Sequence, residues 1–354
     1  MSSSSEVRFH PVSTLADVVN VEPEWIFEDF IERGEQIVLF GPPKVGKSQL
    51  ALQLALAAAK GETLFRWKAT RALKVVYLNF EISRRQFARR LASLLLERRL
   101  ESKDVVPTDL CWPGNLFFYG GTLTERQFVI VSSRPGRMEE KTLAATKQQL
   151  AELAPDLIVY DTLSYLHAID ENSNPEMTDL MERLRTLSGE AAHVIVHHSR
   201  KIGNYELSRG VPTSEAMRGA SAIRGSADLI ISLTEQPGGS GGGAHFELSV
   251  EARNLPSQKL SLSAREWGGF REGKWTKEDQ ILEFLLENRN AVIHGKAITE
   301  VPIKDVVSYI ATQTDLGGNR TVATHFYALL ARENCPVERV KSGKNASLRL
   351  QYRD

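Results

Sequence analysis

Eight residues near the start of the chain have the spacing of a phosphate-binding loop. Gly41 to Ser48 read GPPKVGKS and fit the pattern G-x-x-x-x-G-K-[S/T] at every fixed position. The apolar run Ile37–Phe40 precedes the loop and Gln49–Lys60, of helical composition, follows it, so the required strand, loop and helix are all indicated. A simple glycine turn is the alternative, and this context disfavours it.

The residue types explain how such a loop would hold phosphate. Gly41 and Gly46 let backbone N–H groups turn inward around phosphate oxygens, and a helix opening near Lys47 points its positive end at them. Lys47 would reach the β- and γ-phosphates, and the Ser48 hydroxyl would ligate Mg²⁺. The sequence therefore predicts a site for ATP and Mg²⁺. The predicted nucleotide contacts are Gly41, Pro42, Pro43, Lys44, Val45, Gly46, Lys47, Ser48 and Gln49.

Two further strand-like runs end on a carboxylate. Val75–Phe80 is followed by Glu81, which could deprotonate a water for attack on the γ-phosphate or could simply begin the next helix, where a carboxylate is favourable. Leu157–Asp161 ends on an aspartate suited to hold Mg²⁺ opposite the loop serine, although aspartate also commonly starts turns. Both residues are candidate members of the nucleotide site.

A third strand-like run, Val194–His197, leads into a second histidine, His198. Adjacent histidines on a strand point to opposite faces, which argues against both ligating one metal ion. One of them could instead sit at the strand tip and contact the γ-phosphate. An ordinary polar strand end is the competing interpretation.

Strand-like runs alternate with helical stretches from Trp25 to about Leu233, a pattern typical of a parallel sheet covered by helices. The sequence therefore predicts an α/β fold. The predicted strands are Ile37–Phe40, Val75–Phe80, Leu116–Tyr119, Leu157–Asp161, Val194–His197, Leu229–Leu233 and Phe246–Glu251, and the predicted helices are Gln49–Lys60, Ser83–Arg98, Lys141–Ala154 and Met177–Ala191.

Composition limits the class of protein. With 354 residues the chain is expected to form one large and one small domain. Its 44 basic and 44 acidic residues cancel, so the overall charge does not indicate a particular class of binding partner. Cys111 and Cys335 lie far apart without a CxxC pattern, which favours a reduced, cytoplasmic protein. Apolar runs stay shorter than a membrane span requires, and residues 1–20 are expected to form a disordered tail.

The last part of the chain, residues 274–354, has the order of a small winged-helix domain. Three helices, with Asn319 expected to cap the third, precede a basic hairpin. Winged helices also dock proteins, but the basic hairpin tip favours DNA. The predicted helices are Lys277–Asn288, Ile303–Thr312 and Asn319–Glu333, and the hairpin strands are Val337–Val340 and Ala346–Gln351. The predicted DNA contacts are Arg320, Thr321 and His325 in a groove and Lys341 and Lys344 on phosphate.

Six segments in one order resemble the RecA-type motor domain of hexameric replicative helicases, and especially its plasmid RepA-like branch. The segments are GPPKVGKS, VVYLNFEIS, LIVYDTLS, VIVHHSRK, EAMRGASAIRGSADLIISL and FELSVEARNLPSQKLSL, within Trp25 to Trp267. The resemblance implies a RecA-like P-loop NTPase core over residues 21–270, with a mostly parallel central sheet. It further implies a hexameric ATP-dependent DNA translocase or helicase, with single-stranded DNA in its channel. Separately, the short apolar runs lead us to expect no membrane association.

The resemblance also implies residue roles. Glu81 matches the catalytic base, Asp161 the Mg²⁺-coordinating aspartate and His198 the γ-phosphate sensor. Arg253 matches an arginine that reaches a neighbouring subunit's nucleotide and stabilises its transition state. Glu251 stands where replicative helicases often have lysine, so the alternatives for the partner-supplied cation are Arg218 and Arg224.

A polar loop after His198 resembles the channel loop of this family, and it would place Lys201 and Arg209 on single-stranded DNA; a solvated surface loop is the alternative. A nucleotide-switched DNA-binding regulator without unwinding activity is the second functional hypothesis, and a recombinase-like filament is the third.

Overall fold

The computed structural model describes residues 11–17, 21–97, 110–122, 131–132, 137–198, 220–236, 245–265, 268–273, 277–314, 316–331, 335, 337–341 and 348–352. The chain divides into two compact units. The first comprises Met1–Leu233, Ser249–Gln258 and Glu266–Gly269, and the second comprises Thr234–Leu248, Lys259–Arg265 and Phe270–Asp354.

The helices match the predicted ones closely. Among the described residues the α-helices are α1 (Lys47–Lys60), α2 (Arg84–Leu96), α3 (Arg137–Leu153), α4 (Asn174–Ser188), α5 (Ala220–Ser226), α6 (Lys277–Glu287), α7 (Ile303–Gln313) and α8 (Asn319–Leu330). Short 3₁₀ helices span Val12–Asp17 and Leu163–Tyr165. No helix in these described ranges has both the length and the apolar character that a membrane crossing requires.

The strands include every predicted one and several short additions. They are β1 (Trp25–Phe27), β2 (Ile31–Glu32), β3 (Gln36–Gly41), β4 (Thr63–Leu64), β5 (Trp67–Lys68), β6 (Val75–Asn79), β7 (Leu116–Gly120), β8 (Val131–Ser132), β9 (Leu157–Asp161), β10 (His167–Ala168), β11 (Ala192–His198), β12 (Leu229–Gln236), β13 (His245–Ala252), β14 (Gln258–Ala264), β15 (Phe270–Glu272), β16 (Val292–Ile293), β17 (Lys296–Ala297), β18 (Val337–Lys341) and β19 (Leu348–Tyr352).

A mostly parallel sheet forms the centre of the first unit. Strands β12, β3, β11, β9, β6 and β7 lie side by side in that order, and each neighbouring pair is parallel. Every residue of β3, β6 and β9 is buried, as expected for parallel strands covered by helices on both faces. The hydrogen-bonded order continues from β12 through β13 and β14 to β15, and β15 is antiparallel to β14. The predicted α/β core with a mostly parallel sheet is confirmed.

Helix α4 shows why one face of the sheet is covered. Its buried residues recur at intervals of three and four, which places them on one side of the helix against the core. The apolar members of this set are Met177, Leu180, Met181, Leu184 and Leu187.

The second unit contains a hydrophobic core of its own, made from α6, α7, α8 and the hairpin β18–β19. The short hairpin β16–β17 lies between α6 and α7 in sequence and was not predicted. The expected cap at Asn319 is wrong, because α8 already includes Asn319 and its N-cap is Gly318, without a capping side-chain hydrogen bond. Among the described residues from Lys277 to Tyr352, the elements therefore follow in the order helix, hairpin, helix, helix and hairpin.

Candidate nucleotide site

The register of the parallel strands brings the predicted residues to one edge of the sheet. His198 at the end of β11 is paired with Gly41 at the end of β3, and Asp161 at the end of β9 is paired with Val196. On its other side Asp161 is paired with Asn79, two residues before Glu81. The glycine loop, Asp161, His198 and Glu81 consequently follow the carboxyl ends of neighbouring strands.

The glycine loop has the backbone that phosphate binding requires. A Cβ on Gly41 would lie 2.3 Å from the Leu233 carbonyl oxygen, so a larger residue cannot occupy this position. Gly46 is the N-cap of α1 and has φ 101°, a left-handed conformation that favours glycine. Helix α1 begins at Lys47, as predicted, so its positive end faces the loop.

Lys47 is held inside the loop by carbonyl groups. Its Nζ donates hydrogen bonds to the Gly41 oxygen at 2.9 Å and the Pro42 oxygen at 2.8 Å, and the residue is buried. Burial lowers the pKa of Lys47 to about 8, while the nearby carboxylates of Glu81 and Asp161 raise it. The side chain therefore remains mostly protonated at neutral pH and is available to an incoming phosphate.

Ser48 and Asp161 are joined by a hydrogen bond between the loop helix and β9. The Ser48 Oγ donates to Asp161 Oδ1 at 2.9 Å, and the hydroxyl of Tyr77 donates to Asp161 Oδ2 at 2.7 Å. Burial raises the pKa of Asp161 to about 6, although both hydrogen bonds lower it. The carboxylate is thus mostly ionised at neutral pH, but burial makes its charged form less favourable than it would be in water.

These oxygen donors suit Mg²⁺ bound together with a nucleotide. Mg²⁺ in such sites takes one or two carboxylates, a hydroxyl and phosphate oxygens, without a dedicated protein cage. Among the described residues no group of three or more His, Cys, Asp or Glu side chains could hold a metal ion by itself. Ser48 and Asp161 therefore fit a metal ion that arrives with ATP.

Glu81 lies in a turn that its neighbours hold in place. The fully buried Asn79 amide donates to the Ile82 carbonyl oxygen at 2.6 Å and accepts from the Ile82 N–H at 3.2 Å, which closes the turn around Glu81. The Phe80 N–H donates to the Asp161 carbonyl oxygen at 2.8 Å. The exposed Glu81 carboxylate is near enough to raise the pKa values of Lys47 and Asp161.

The start of α2 does not depend on Glu81. Ser83 is the N-cap of this helix and accepts from the Gln86 N–H, while the Gln86 side chain accepts from the Ser83 N–H. This capping box satisfies the first turn. The alternative in which Glu81 begins the helix is therefore disfavoured.

The two histidines of β11 differ in exposure. His197 is paired with Phe40 and is 2 % exposed, whereas His198 is paired with Gly41 and is half-buried at the loop edge. This position is compatible with the predicted role of His198 next to the terminal phosphate.

Arg253 lies at the other end of the strands. Its guanidinium donates to the Gly225 carbonyl oxygen and lies 3.8 Å from Asp228 Oδ1. The Asp228 carboxylate accepts from the N–H of Gln36, the first residue of β3. Gln36 and Gly41 are the two ends of β3, about 16 Å apart, so Arg253 lies near the opposite end of this strand from the glycine loop of its own chain.

The alternatives to Arg253 have different surroundings. Arg224 Nη2 donates to Glu251 Oε2 at 3.3 Å, so the carboxylate that replaces the expected lysine is paired with a neighbouring arginine. Arg218 lies outside the described residues, as do the predicted DNA contacts Lys201, Arg209 and Lys344.

The remaining predicted DNA contacts lie in the second unit. Arg320 is exposed on the first turn of α8, and Thr321 is half-buried. His325 is half-buried and its Nδ1 lies 2.6 Å from Glu278 Oε1. Lys341 is the last residue of β18. Thr324 and Tyr327, which are not among the predicted DNA contacts, are also exposed on α8.

A family model described as an AAA domain matches residues 4–204, more than half of the chain. The chain belongs to this AAA domain family. The match and the sheet confirm the predicted RecA-like P-loop ATPase core.

Solved structures with a similar course of the chain have low sequence identity to this AAA domain protein. One of them, described as an ATPase domain, is 13% identical with a TM-score of 0.49, covering 68% of this chain and 85% of that one. The KaiC-like protein PH0186 from Pyrococcus horikoshii OT3 is 12% identical with a TM-score of 0.45, covering 70% and 94%. The flagellar accessory protein FlaH from Methanocaldococcus jannaschii is 15% identical with a TM-score of 0.44, covering 74% and 96%. No curated protein sequence gave a significant match.

Sequence reasoning missed two residues that organise the site. Tyr77 and Asn79 belong to the apolar run VVYLNFE, in which a tyrosine resembles an ordinary core residue. Alternation along β6 places Tyr77 and Asn79 on one face, and that spacing was the available signal.

Replacement of Asp161 by Asn should stabilise the nucleotide-free protein at neutral pH. A folded-state pKa of about 6 against 3.8 means that the Asp161 contribution to stability is present below pH 3.8 and is lost as pH rises through 6. We expect Asp161→Asn to raise the free energy of unfolding by about 1–3 kcal/mol near pH 7.5, and by less towards pH 4. Urea unfolding at both pH values measures this.

Asp179→Asn is the matched control, because this carboxylate is exposed and pairs with Arg183 on the surface of α4. It should change stability little at either pH. A stability difference between wild type and Asp161→Asn that is the same at both pH values would contradict the assignment of a buried, destabilising charge.

Proposed function

We propose that the chain is an ATP- and Mg²⁺-dependent DNA motor of the hexameric RepA-like type, which hydrolyses ATP at subunit interfaces and translocates on or unwinds DNA. Residues 21–270 would form the motor domain, residues 274–354 a winged-helix domain and residues 1–20 a tail, in a cytoplasmic protein. The observation that supports hydrolysis best is the single sheet edge shared by the glycine loop, Asp161, His198 and the Glu81 turn.

Each side chain at this edge has a distinct chemical role in the proposal. Lys47 exchanges its two carbonyl acceptors for the β- and γ-phosphate oxygens, which neutralises charge as the terminal phosphoryl group leaves. Glu81 accepts a proton from the attacking water, and its exposure gives that water access. His198 contacts the γ-phosphate. Ser48 and Asp161 would hold Mg²⁺, which would offset the negative charge of the phosphates.

The position of Arg253 supports hydrolysis at an interface between subunits. The guanidinium lies near the end of β3 opposite the glycine loop, and the two ends of this strand are about 16 Å apart, which favours contact with another subunit's nucleotide over its own. The side chain is half exposed, so it can contact another protein. In a ring of identical subunits this arginine would complete the neighbour's site, with Arg224 and Arg218 as the alternatives.

The proposed DNA contacts divide between the two units. Lys201 and Arg209 would line the central channel and contact single-stranded DNA, whereas Arg320, Thr321, His325, Lys341 and Lys344 would serve duplex DNA. His325 is already engaged by Glu278, whereas Arg320 is exposed. Arg320 is therefore the strongest candidate among the proposed duplex contacts.

Two substitutions test the nucleotide site. Lys47→Ala should abolish tight ATP binding, because it removes the cation that faces the phosphates. Glu81→Gln should keep ATP bound and reduce turnover by ~100-fold or more, the usual minimum for loss of a general base. Equilibrium nucleotide binding and steady-state phosphate release separate the two effects. Lys60→Ala, at the exposed end of α1, is the control and should match wild type. Normal hydrolysis by Glu81→Gln would exclude it as the base.

Mixed oligomers test the trans arginine. Arg253→Ala subunits should bind ATP through their own Lys47 and Ser48 but hydrolyse it ~10³-fold more slowly. Lys47→Ala subunits still carry Arg253, so mixing the two variants should restore part of the activity at mixed interfaces. Arg183→Ala removes an exposed arginine elsewhere and should leave the rate unchanged. If verified mixed oligomers show no rescue, Arg253 does not act in trans, and full activity of Arg253→Ala alone would point to Arg218 or Arg224.

Duplex DNA binding by the full chain tests the second unit. Arg320→Ala should weaken duplex binding by about 1–3 kcal/mol, and binding should weaken with salt because phosphate contacts release counterions. Lys304→Ala removes an equal charge from α7 and is the control. Fluorescence anisotropy at several salt concentrations measures both. If wild type and Arg320→Ala bind duplex DNA equally, α8 is better explained as a protein-docking element.

A further inference from the structure

We propose that Tyr77 is a positioning residue for metal binding: its hydroxyl fixes the Asp161 carboxylate so that Ser48 turns its free lone pairs towards Mg²⁺. This inference rests on the proposed function, because it concerns the metal ion that accompanies ATP.

The contacts of Tyr77 join three elements. The residue belongs to β6, its hydroxyl donates to Asp161 Oδ2 on β9 at 2.7 Å, and the same hydroxyl lies 3.3 Å from the Ser48 carbonyl oxygen on α1. The Tyr77 side chain is 1 % exposed, and its ring lies 5.1 Å from the ring of Phe87. Packing on the ring therefore fixes the position of the hydroxyl oxygen.

The Tyr77 hydroxyl acts as a hydrogen-bond donor to Asp161. An ionised carboxylate oxygen can only accept a hydrogen bond, and Asp161 Oδ2 lies 2.7 Å from the hydroxyl oxygen. The phenol hydrogen therefore lies on this contact.

The orientation of Ser48 follows from the orientation of Asp161. A serine hydroxyl has one hydrogen and two lone pairs, and here the hydrogen is directed to Asp161 Oδ1 at 2.9 Å. The lone pairs must therefore point away from Asp161, which is the arrangement that a cation ligand needs. Without the Tyr77 hydroxyl, Oδ2 loses its buried donor and the carboxylate can rotate, so the Ser48 hydrogen is no longer directed to one place.

Tyr160, on the strand next to that of Tyr77, provides a matched control. Tyr160 on β9 is also fully buried, and its hydroxyl is hydrogen-bonded to Ser188 Oγ at 3.1 Å, away from Asp161. Removal of the Tyr160 hydroxyl removes a buried hydrogen bond of the same kind without touching Asp161. A general loss of stability would therefore affect both variants, whereas a metal effect would appear in only one.

The experiment is a titration of Mg²⁺ against binding of a fluorescent ATP analogue, mant-ATP, to wild type, Tyr77→Phe and Tyr160→Phe. We expect Tyr77→Phe to raise the Mg²⁺ concentration for half-maximal binding by about 10-fold or more, in line with the loss of other groups that orient metal ligands. Binding of mant-ATP in EDTA should be unchanged, and Tyr160→Phe should behave as wild type.

A second measurement does not depend on nucleotide. The stability changes of Tyr77→Phe and Asp161→Asn should be strongly non-additive in urea unfolding, because the two groups share one hydrogen bond. The coupling between Tyr160→Phe and Asp161→Asn should be much smaller, because these neighbouring side chains lie on opposite faces of β9. Equal Mg²⁺ dependence of Tyr77→Phe and Tyr160→Phe would overturn the inference. Wild type that binds no mant-ATP with or without Mg²⁺ would overturn the proposed function as well, and the two failures are therefore distinguishable.

Discussion

Asp161 places an ionisable carboxyl group inside the sheet, and the surrounding residues are arranged to satisfy it. An isolated buried carboxylate is very costly, so donors must approach both oxygens. Ser48 supplies one from the loop helix and Tyr77 supplies the other from β6. Because these donors come from different elements, a shift of β6 or α1 relative to β9 would break a hydrogen bond to a buried charge. The position of the glycine loop above the sheet is thus tied to Asp161.

The positive charge of Lys47 is compensated within the nucleotide site by nearby carbonyl and carboxylate groups. Lys47 is paired with two loop carbonyl groups, and the Glu81 and Asp161 carboxylates stabilise its charged form. A carbonyl is a weaker partner for an ammonium group than a phosphate oxygen, because the latter carries charge. The exchange from carbonyl to phosphate therefore favours ligand binding without a large cost to the nucleotide-free loop. The same geometry holds the loop in shape before the ligand arrives.

Much of the fold and of the nucleotide site could be predicted because their signals are local. The glycine loop and the strand ends at Asp161 and His198 are short patterns whose position follows from strand order, and the parallel register then gathers them. Tyr77 was missed because its partner lies 84 positions away, and an aromatic residue in an apolar strand is usually part of the core, so alternation alone does not assign it to the site. The prediction that Asn319 caps α8 is wrong because the helix begins one residue earlier than expected. Gly318 has the extended conformation of an N-cap, and Asn319 is already helical.

The opposite edge of the sheet is organised around a second carboxylate, Asp228. It accepts from the Gln36 N–H and from Arg185, and both of these contacts are short. The contact with Arg253 differs, since the two groups are 3.8 Å apart and the arginine is half exposed. Such exposed ion pairs contribute little, so Asp228 loses little if Arg253 turns to another anion. Gln36 and Arg185 would still satisfy the carboxylate, and the local fold would survive. In the proposed oligomer, Arg253 would therefore be able to turn from Asp228 to a more strongly charged group of a neighbouring subunit without disturbing the local fold.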